Sequence, residues 1–450
     1  MCFILIYLLF QQQLIINPGD IFILNLMLKI KMISKKRFFL FLLGIISLIA
    51  GFIFGENAAG GGEKDFLYFL PYIDKFSLNF IDGFNSYIKN PGVSIQPPTF
   101  YIFVAFFSNI FGGLFGFKIF YLILCLLLPY IFFKILKEKF NQDSDLLFYL
   151  SLLIFISPYF RTSAIWSLGD NLSLIFFSLF VFNLIKAEKS YQFKYYLYSL
   201  IFLIIASYIR HYYSIFWIFF IFVYYKNLKF KYLPQILIIS LISSIPAILY
   251  FSSLFFSQNY LSAIKNYTNL NFIFTIVQTL TIIFFYIFPF VFFCRKEIAK
   301  FIENKANLFL IIIISILFIF AFQYYNFYPL HGGGVFFKLY KFTDLYTLIY
   351  ISIFLAISTL FFLIKNDNKI LYFQNFLLFF CLICAFPFHA IFQKYLDPLI
   401  YFLLFGLLES KQIDNMIKFK KISLPITYIY FGSFLILAII YNEIVLSKIS

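Results

Sequence analysis

The residues best suited to chemistry are acidic and follow the first long apolar segment. The stretch Gly60-Gly-Gly-Glu63-Lys64-Asp65 places two carboxylates beside three glycines. Glycine allows the backbone to approach a ligand closely, and Glu63 or Asp65 can deprotonate a hydroxyl group or bind a divalent cation. A flexible acidic loop is the alternative interpretation of the same residues.

A third acid, Asp170, stands at the predicted start of a later apolar helix. We predict that it joins Glu63 and Asp65 as a catalytic residue. The alternative is structural, since the sequence Gly169-Asp170-Asn171 is also typical of a helix N-cap.

Five basic residues are candidates for binding a phosphate group: Arg161, Arg210, His211, His331 and Lys394. A forked guanidinium matches phosphate oxygens. Arg210 and His211 stand in a short turn between two apolar segments, where a charge at the membrane surface is costly unless it is paired or hydrated. The alternatives are an interfacial anchor for Arg161, a glycine-rich loop after His331, and a lysine that merely extends towards water for Lys394.

The composition requires that membrane-spanning helices present these residues. Of the 450 residues, 63% are hydrophobic and only 12% are charged, with a mean hydropathy of +0.93. A soluble domain with so much apolar surface would aggregate. The net charge of +16 would indicate nucleic-acid binding in a soluble protein. Here the lysines are spread over short loops, and we predict no nucleic-acid partner.

About thirteen apolar segments are long enough, or nearly so, to cross a bilayer as helices, so the sequence predicts an all-α membrane protein. They centre near 38–55, 118–136, 147–160, 168–185, 195–209, 212–225, 234–251, 272–293, 307–322, 345–364, 371–390, 397–408 and 422–441. Residues 1–31 carry only shorter apolar runs, and we expect translation to begin at Met27 or Met32. Residues 32–450 are then one polytopic domain.

Lysine and arginine in the short loops predict the orientation of these helices. If Lys35, Lys36 and Arg37 are cytoplasmic, every second loop after them is basic. The intervening loops face outward, and the longest is the first, residues 56–116. Within it, segment 98–115 is apolar but short, and we predict a helix along the outer surface.

Four motifs resemble the C-type (GT-C) glycosyltransferases, membrane enzymes that use a polyprenyl-phosphate sugar donor. Asp65, with Glu63 before it, is similar to the acidic motif of the family's first outer loop. Pro97-Pro98-Thr-Phe-Tyr101 resembles the Pro-Pro-x-x-Tyr of a juxtamembrane helix. The stretch from Arg210 to Trp217 is similar to one in α-1,2-glucosyltransferases of this superfamily, and Gln393-Lys394-Tyr395-Leu-Asp-Pro398 resembles a late Arg-Tyr-x-x-Pro.

The resemblance implies an inverting hexosyl transfer on the outer face of a membrane, which we expect to be the bacterial inner membrane. The donor would be a polyprenyl-phosphate sugar, and the acceptor a lipid-linked or cell-envelope glycan, both held among membrane lipids. Asp65 would act as the general base. Arg210, with Lys394 or His331, would hold the phosphate. No cofactor is certain, and a divalent cation at the acids is the open alternative. No metal site is predicted, because the Cys381-x-x-Cys384 pair lies in an apolar run typical of packing.

Two other classes of polytopic protein are alternatives. A polysaccharide transporter would place charges near the middle of the bilayer, whereas here they cluster at predicted helix ends. An O-antigen polymerase or ligase would concentrate its catalytic residues in one large late loop, whereas here the largest outer loop is the first. A non-catalytic membrane scaffold is the third alternative.

Overall fold

The chain is helical, without β-strands, throughout the part that the structure describes. The computed structural model describes residues 35–89, 96–255, 272–324, 332–386, 391–413 and 423–445. The predicted N-terminal extension, residues 1–31, and the candidate site residue His331 lie outside these ranges. The chain divides into two compact units, residues 1–54 and 55–450, and the single domain 32–450 stays a prediction.

The first unit contains helix α1 (Lys35–Ile53). The α-helices of the second unit are α2 (Gly62–Leu78), α3 (Phe80–Lys89), α4 (Thr99–Ile110), α5 (Leu114–Cys125), α6 (Leu127–Phe140), α7 (Asp145–Leu152), α8 (Pro158–Ile165), α9 (Gly169–Ser190), α10 (Phe193–Ile209), α11 (Phe216–Leu228), α12 (Leu233–Phe255), α13 (Phe272–Val291), α14 (Arg295–Glu303), α15 (Lys305–Tyr324), α16 (Gly334–Thr343), α17 (Tyr346–Ile364), α18 (Lys369–Cys384), α19 (Leu399–Phe402) and α20 (Ser423–Ile439). Short 3-10 segments precede α8, α11, α14 and α19, and π-helical turns follow α19 and α20.

Eight helical stretches in the described residues are long and apolar enough to cross a membrane, so the chain is a multi-pass α-helical membrane protein. They are Lys35–Ile53, Leu114–Phe140, Gly169–Ser190, Leu233–Ser253, Phe274–Glu303, Lys305–Gln323, Tyr346–Ile364 and Ser423–Glu443. The stretch Asp145–Ile156 and helix α8, bent by 62° at their junction, become a ninth if they are counted as one span.

The sequence predicts about thirteen spans, whereas only eight or nine of them are helices of spanning length in the described residues. The four remaining predicted segments do form helices, but short ones. Helix α10 has 17 residues, α11 has 13 and α18 has 16, and the segment near 397–408 is divided between α19 and a π-helical turn. Hydropathy predicted where the helices lie, whereas their lengths depend on where turns and packing end them.

In the segment predicted as the first outer loop, residues 56–116, the described parts 56–89 and 96–116 are mainly helical. Helix α2 packs on both α3 and α4. The predicted helix in segment 98–115 is α4, which buries Tyr101 and Val104 on one face and exposes Phe106 and Ile110 on the other. Helix α9 packs along α10 and α6 and places its first turn near α8.

Candidate functional site

One cavity in the second unit collects the polar residues of six separate chain segments. Its volume is about 740 Å³, and its lining residues come from 59–65, 159–174, 212–213, 332–338, 392–399 and 441–442. Three of the predicted site residues line it, namely Asp65, Asp170 and Lys394. Such a volume lies within the range of ordinary small-molecule sites.

Asp65 is placed in the first turn of α2 and forms an ion pair with Lys394. The Asn57 side chain accepts hydrogen bonds from the backbone N–H groups of Gly61 (3.2 Å) and Gly62 (2.9 Å), which stabilises the start of this helix. Lys394 Nζ donates to Asp65 Oδ2 at 2.8 Å. Burial lowers the pKa of the Lys394 ammonium, but the carboxylate of Asp65, together with more distant charges, outweighs it and raises that pKa above its usual value.

The glycine loop, defined here as residues 57–62, is held from two sides. On one side Ala59 N donates to Thr162 Oγ1 at 2.8 Å. On the other, Asn442 Nδ2 donates to the carbonyl of Ala58 at 2.7 Å, and Glu443 Oε1 accepts from Asn57 N at 2.8 Å.

Gly60 is required at its position by both conformation and space. Its φ is +67°, and a Cβ there would lie 2.2 Å from Asn442 Oδ1. The glycine loop thus packs against its neighbours, and Glu63 and Asp65 lie in the first turn of α2. The close approach that the glycines allow is to other parts of the protein.

Glu63 shares the first turn of α2 with Asp65 but points elsewhere. Its side chain is exposed and is not part of the cavity lining. The two predicted acids of this motif are thus separated by the helix geometry, since residues two apart on a helix do not face the same direction.

Asp170 lies in the first turn of α9, where it pairs with Arg210. The N-cap of α9 is Leu168, so Asp170 is not the helix cap. Its Oδ2 accepts from Arg210 Nη2 at 2.9 Å, while Arg210 Nη1 donates to Gln96. Asp170 Oδ1 is buried without a hydrogen-bond partner in the described residues, and Asp170 lines the cavity.

Arg210 itself is not part of the cavity lining. The predicted phosphate ligand therefore stands behind Asp170 and neutralises it, instead of facing a ligand directly.

The start of α9 is fixed by a buried hydrogen-bond network. Ser163 Oγ donates to the Leu168 carbonyl at 3.1 Å and accepts from Asn171 N, also at 3.1 Å. Tyr121 OH donates to the same carbonyl and accepts from Leu172 N. These bonds orient the first turn of α9, so Asp170 has a defined place in the cavity wall.

Arg161 is engaged by Glu56 and does not line the cavity. Arg161 Nε donates to Glu56 Oε1 at 2.6 Å, and a second, parallel contact joins Nη2 to Oε2. Both side chains are buried, at 5% and 10% exposure. The charge of Arg161 is thus balanced by Glu56, away from the cavity lining.

Of the two histidine candidates, the structure describes only His211, and it does not supply a cation to the cavity. Burial, reinforced by the charge of Arg210, lowers the pKa of His211 to about 4, so its imidazole is neutral at neutral pH. His211 is also absent from the cavity lining. His331 lies outside the described residues, although Gly332 and Gly334, which follow it, do line the cavity.

Of the lining residues that were not predicted as site residues, the charged ones are Lys338 and Asp397, and Asn442 adds a side-chain amide. Lys338 lies on α16, with its ammonium 5.0 Å from the centre of the Tyr441 ring. Within the described ranges no carboxylate lies at ion-pair distance from it, and burial lowers its pKa. A signal for Lys338 did exist, since a lysine in a predicted outer loop runs against the positive-inside distribution.

Among the residues that the structure describes, no group of three or more His, Cys, Asp or Glu side chains is placed to hold a metal ion. No family model matches the chain, and no curated protein and no solved structure matches it.

Proposed function

We propose that this protein is a membrane glycosyltransferase that transfers a sugar from a polyprenyl-phosphate donor to a lipid-linked or cell-envelope glycan acceptor. One observation carries the proposal: a single cavity in a multi-pass membrane protein holds Asp65 in an ion pair with Lys394, together with a second cation, Lys338, that has no carboxylate partner in the described residues. A carboxylate and an available cation are what a base and a phosphate ligand require.

The phosphate of the donor would be bound by Lys338 and Lys394. Both lysines line the cavity, whereas Arg210 is paired with Asp170 and Arg161 with Glu56. Lys338 is partly desolvated and has no carboxylate beside it in the described part of the chain, so a phosphate arriving there gains a strong charge-assisted contact. His331 remains a predicted contributor, since the glycines that follow it reach the same cavity.

Asp65 would accept the proton of an acceptor hydroxyl as that oxygen attacks the anomeric carbon. The bond between this carbon and the phosphate oxygen breaks, and the polyprenyl phosphate leaves with the electron pair. Displacement from the opposite face inverts the anomeric configuration. Lys394 would have two roles in this reaction. It pairs with Asp65 and so holds the base in position, and its positive charge would stabilise the phosphate leaving group.

The proposed topology has thirteen spans with the cavity on the outer face. Each ion pair in the described residues joins two residues that this topology places on the same side. The inner pairs are Lys137–Asp143, Lys139–Glu409, Lys189–Glu138, Lys226–Glu188 and Lys411–Asp367. The outer pairs are Arg161–Glu56, Arg210–Asp170 and Lys394–Asp65. This segregation supports the alternation of loops on which the proposal rests.

The test is Asp65→Asn in the full chain, assayed for lipid-linked or surface glycan at equal membrane protein level. We expect a loss of about 10²-fold or more, the usual effect of removing a general base. The matched control is Glu63→Gln, which removes a carboxylate from the same helical turn but outside the cavity, and it should retain activity. Full glycan output from Asp65→Asn would remove Asp65 as the base and with it this proposal.

A further inference from the structure

Five cations, called here the basic cluster, surround helix α14, which lies between the membrane-spanning helices α13 and α15 and packs on α17. They are Arg295, Lys296 and Lys300 of α14, Lys305 at the start of α15, and Lys365 directly after α17. All five are exposed. Helix α14 also carries Glu297 and Glu303, but within the described residues no carboxylate lies at ion-pair distance from any of the five cations.

Aromatic contacts hold the charges of α14 and α17 side by side. Phe301 of α14 is buried and packs edge-on against Phe362 of α17, with 5.9 Å between the ring centres. The ammonium of Lys365 lies 5.1 Å from the centre of the same Phe301 ring. Lys296 and Lys300 are four residues apart on α14 and therefore share one face of it. The basic cluster is thus assembled from helix ends that tertiary packing brings together.

Helix α14 lies where the hydrocarbon of a membrane ends. The helical stretch Phe274–Glu303 has 30 residues and is about 45 Å long at the usual rise, about 15 Å more than the hydrocarbon core. It carries no charged residue before Arg295. The charged end of this stretch, which is α14, therefore projects into the headgroup region.

Exposed aromatic rings lie next to these charges, on the side towards the hydrocarbon. Phe292 is 43% exposed, and the guanidinium of Arg295 lies 5.1 Å from the centre of its ring. Phe309 is 68% exposed and stands four residues after Lys305, on the same face of α15. The surface thus offers cations at headgroup depth and rings at the depth of acyl chains.

We propose that the basic cluster binds an anionic phospholipid, with its phosphate among the cations and its acyl chains against Phe292 and Phe309. Basic groups between membrane helices attract anionic headgroups, and a phosphate accepts charge-assisted hydrogen bonds from lysine and arginine. A soluble phosphate would satisfy the cations but would leave the exposed rings unused. The site is independent of the proposed glycosyl transfer and of which side of the membrane α14 faces.

The experiment compares two triple variants with the same change in net charge. One is Arg295→Gln with Lys300→Gln and Lys365→Gln in the basic cluster. The matched control is Lys194→Gln with Lys229→Gln and Lys231→Gln, which removes three exposed lysines elsewhere on the same predicted side. Purified full-length protein in detergent is titrated with dioleoyl phosphatidylglycerol or dioleoyl phosphatidylcholine, and bound lipids are counted by native mass spectrometry. Glycerol 3-phosphate is the soluble competitor, and Phe292→Ala tests the acyl-chain contact.

We expect phosphatidylglycerol to bind the wild type and the control variant equally, and to bind the cluster variant about tenfold or more weakly. Phosphatidylcholine should bind all three alike and more weakly than phosphatidylglycerol binds the wild type. Phe292→Ala should weaken phosphatidylglycerol binding, and glycerol 3-phosphate should not displace the lipid. The changed side chains are exposed, so the melting temperatures without added lipid should be unchanged.

Three results would each overturn the site. Equal losses in the cluster and control variants would assign the effect to net charge alone. Equal binding of the two lipids to the wild type would remove the preference for an anionic headgroup. Displacement by glycerol 3-phosphate, with no effect of Phe292→Ala, would assign the cations to a soluble anion. Glycan output is not measured here, so the test of Asp65 stands or fails separately.

Discussion

At the scale of single residues, two carboxylates of the cavity wall, Asp170 and Asp65, are each paired with a cation before any ligand arrives. Asp170 and Arg210 are 13% and 7% exposed and share one hydrogen bond of 2.9 Å. Removing one partner of a buried pair leaves the other as an uncompensated charge, which typically costs about 3–5 kcal/mol. Removing both partners together avoids that penalty.

A double-mutant cycle at this pair tests its role. We expect Arg210→Gln and Asp170→Asn each to lower thermal stability of the purified protein strongly, and the double variant to be more stable than either single variant predicts. The measurement is thermal unfolding in detergent, with tryptophan fluorescence as the readout. Effects that simply add would contradict the pairing.

At the scale of elements, the position of Asp65, the proposed base, depends in part on contacts from the helical segment that ends with α20 and its π-helical turn. The π-helical turn after α20 carries Asn442 and Glu443, which bond to Ala58 and Asn57 in the glycine loop. That loop leads directly into α2 and hence to Asp65. A contact between residues 384 apart in sequence therefore helps to hold the loop that precedes Asp65.

Asn442→Ala should consequently displace Asp65 without removing any charge. We expect kcat to fall about tenfold, equivalent to about 1.4 kcal/mol of barrier, with little change in KM for the donor. The control is Asn227→Ala, which also removes one side-chain hydrogen bond, from Asn227 Nδ2 to Tyr196 OH at 2.8 Å, but far from the cavity lining. Equal losses in both variants would indicate general destabilisation instead of positioning.

At the scale of the whole molecule, the ion pairs of the described residues fall into two groups that match the predicted alternation of loops. Every ion pair within the described ranges joins two residues that the predicted alternation of loops places on the same side of the membrane. A membrane explains this pattern, because an ion pair cannot form between residues separated by the hydrocarbon layer.

Cysteine accessibility tests the proposed orientation. In a background without the native cysteines, Lys64→Cys should react with a membrane-impermeant maleimide in intact cells, whereas Lys411→Cys should react only after permeabilisation. Both lysines are exposed in the structure, so reactivity reports the side of the membrane. Labelling of Lys411→Cys alone in intact cells would invert the topology and move the cavity to the cytoplasmic face.

The sequence by itself determined the class of protein, because hydropathy is a local property that each helix carries in its own residues. It also located most helices, including α4 in segment 98–115, and identified Asp65, Asp170 and Lys394, which do line one cavity. Helix lengths were less predictable, since the short α10 and α18 end where turns and neighbours permit.

Only the tertiary structure decided which charged side chains are available. Arg161, Arg210 and Lys394 all present cations that suit a phosphate, yet two are buried against Glu56 and Asp170 and only Lys394 reaches the cavity. Lys338 and Asp397 were found among the cavity-lining residues only in the structure, because whether a residue lines the cavity depends on neighbours that are far away in the chain. Lys394 and Asp65 are 329 residues apart, and no local pattern encodes such a contact. Burial and pairing are properties of the packed molecule, and they decide which residues of a suitable type can contact a ligand in the cavity.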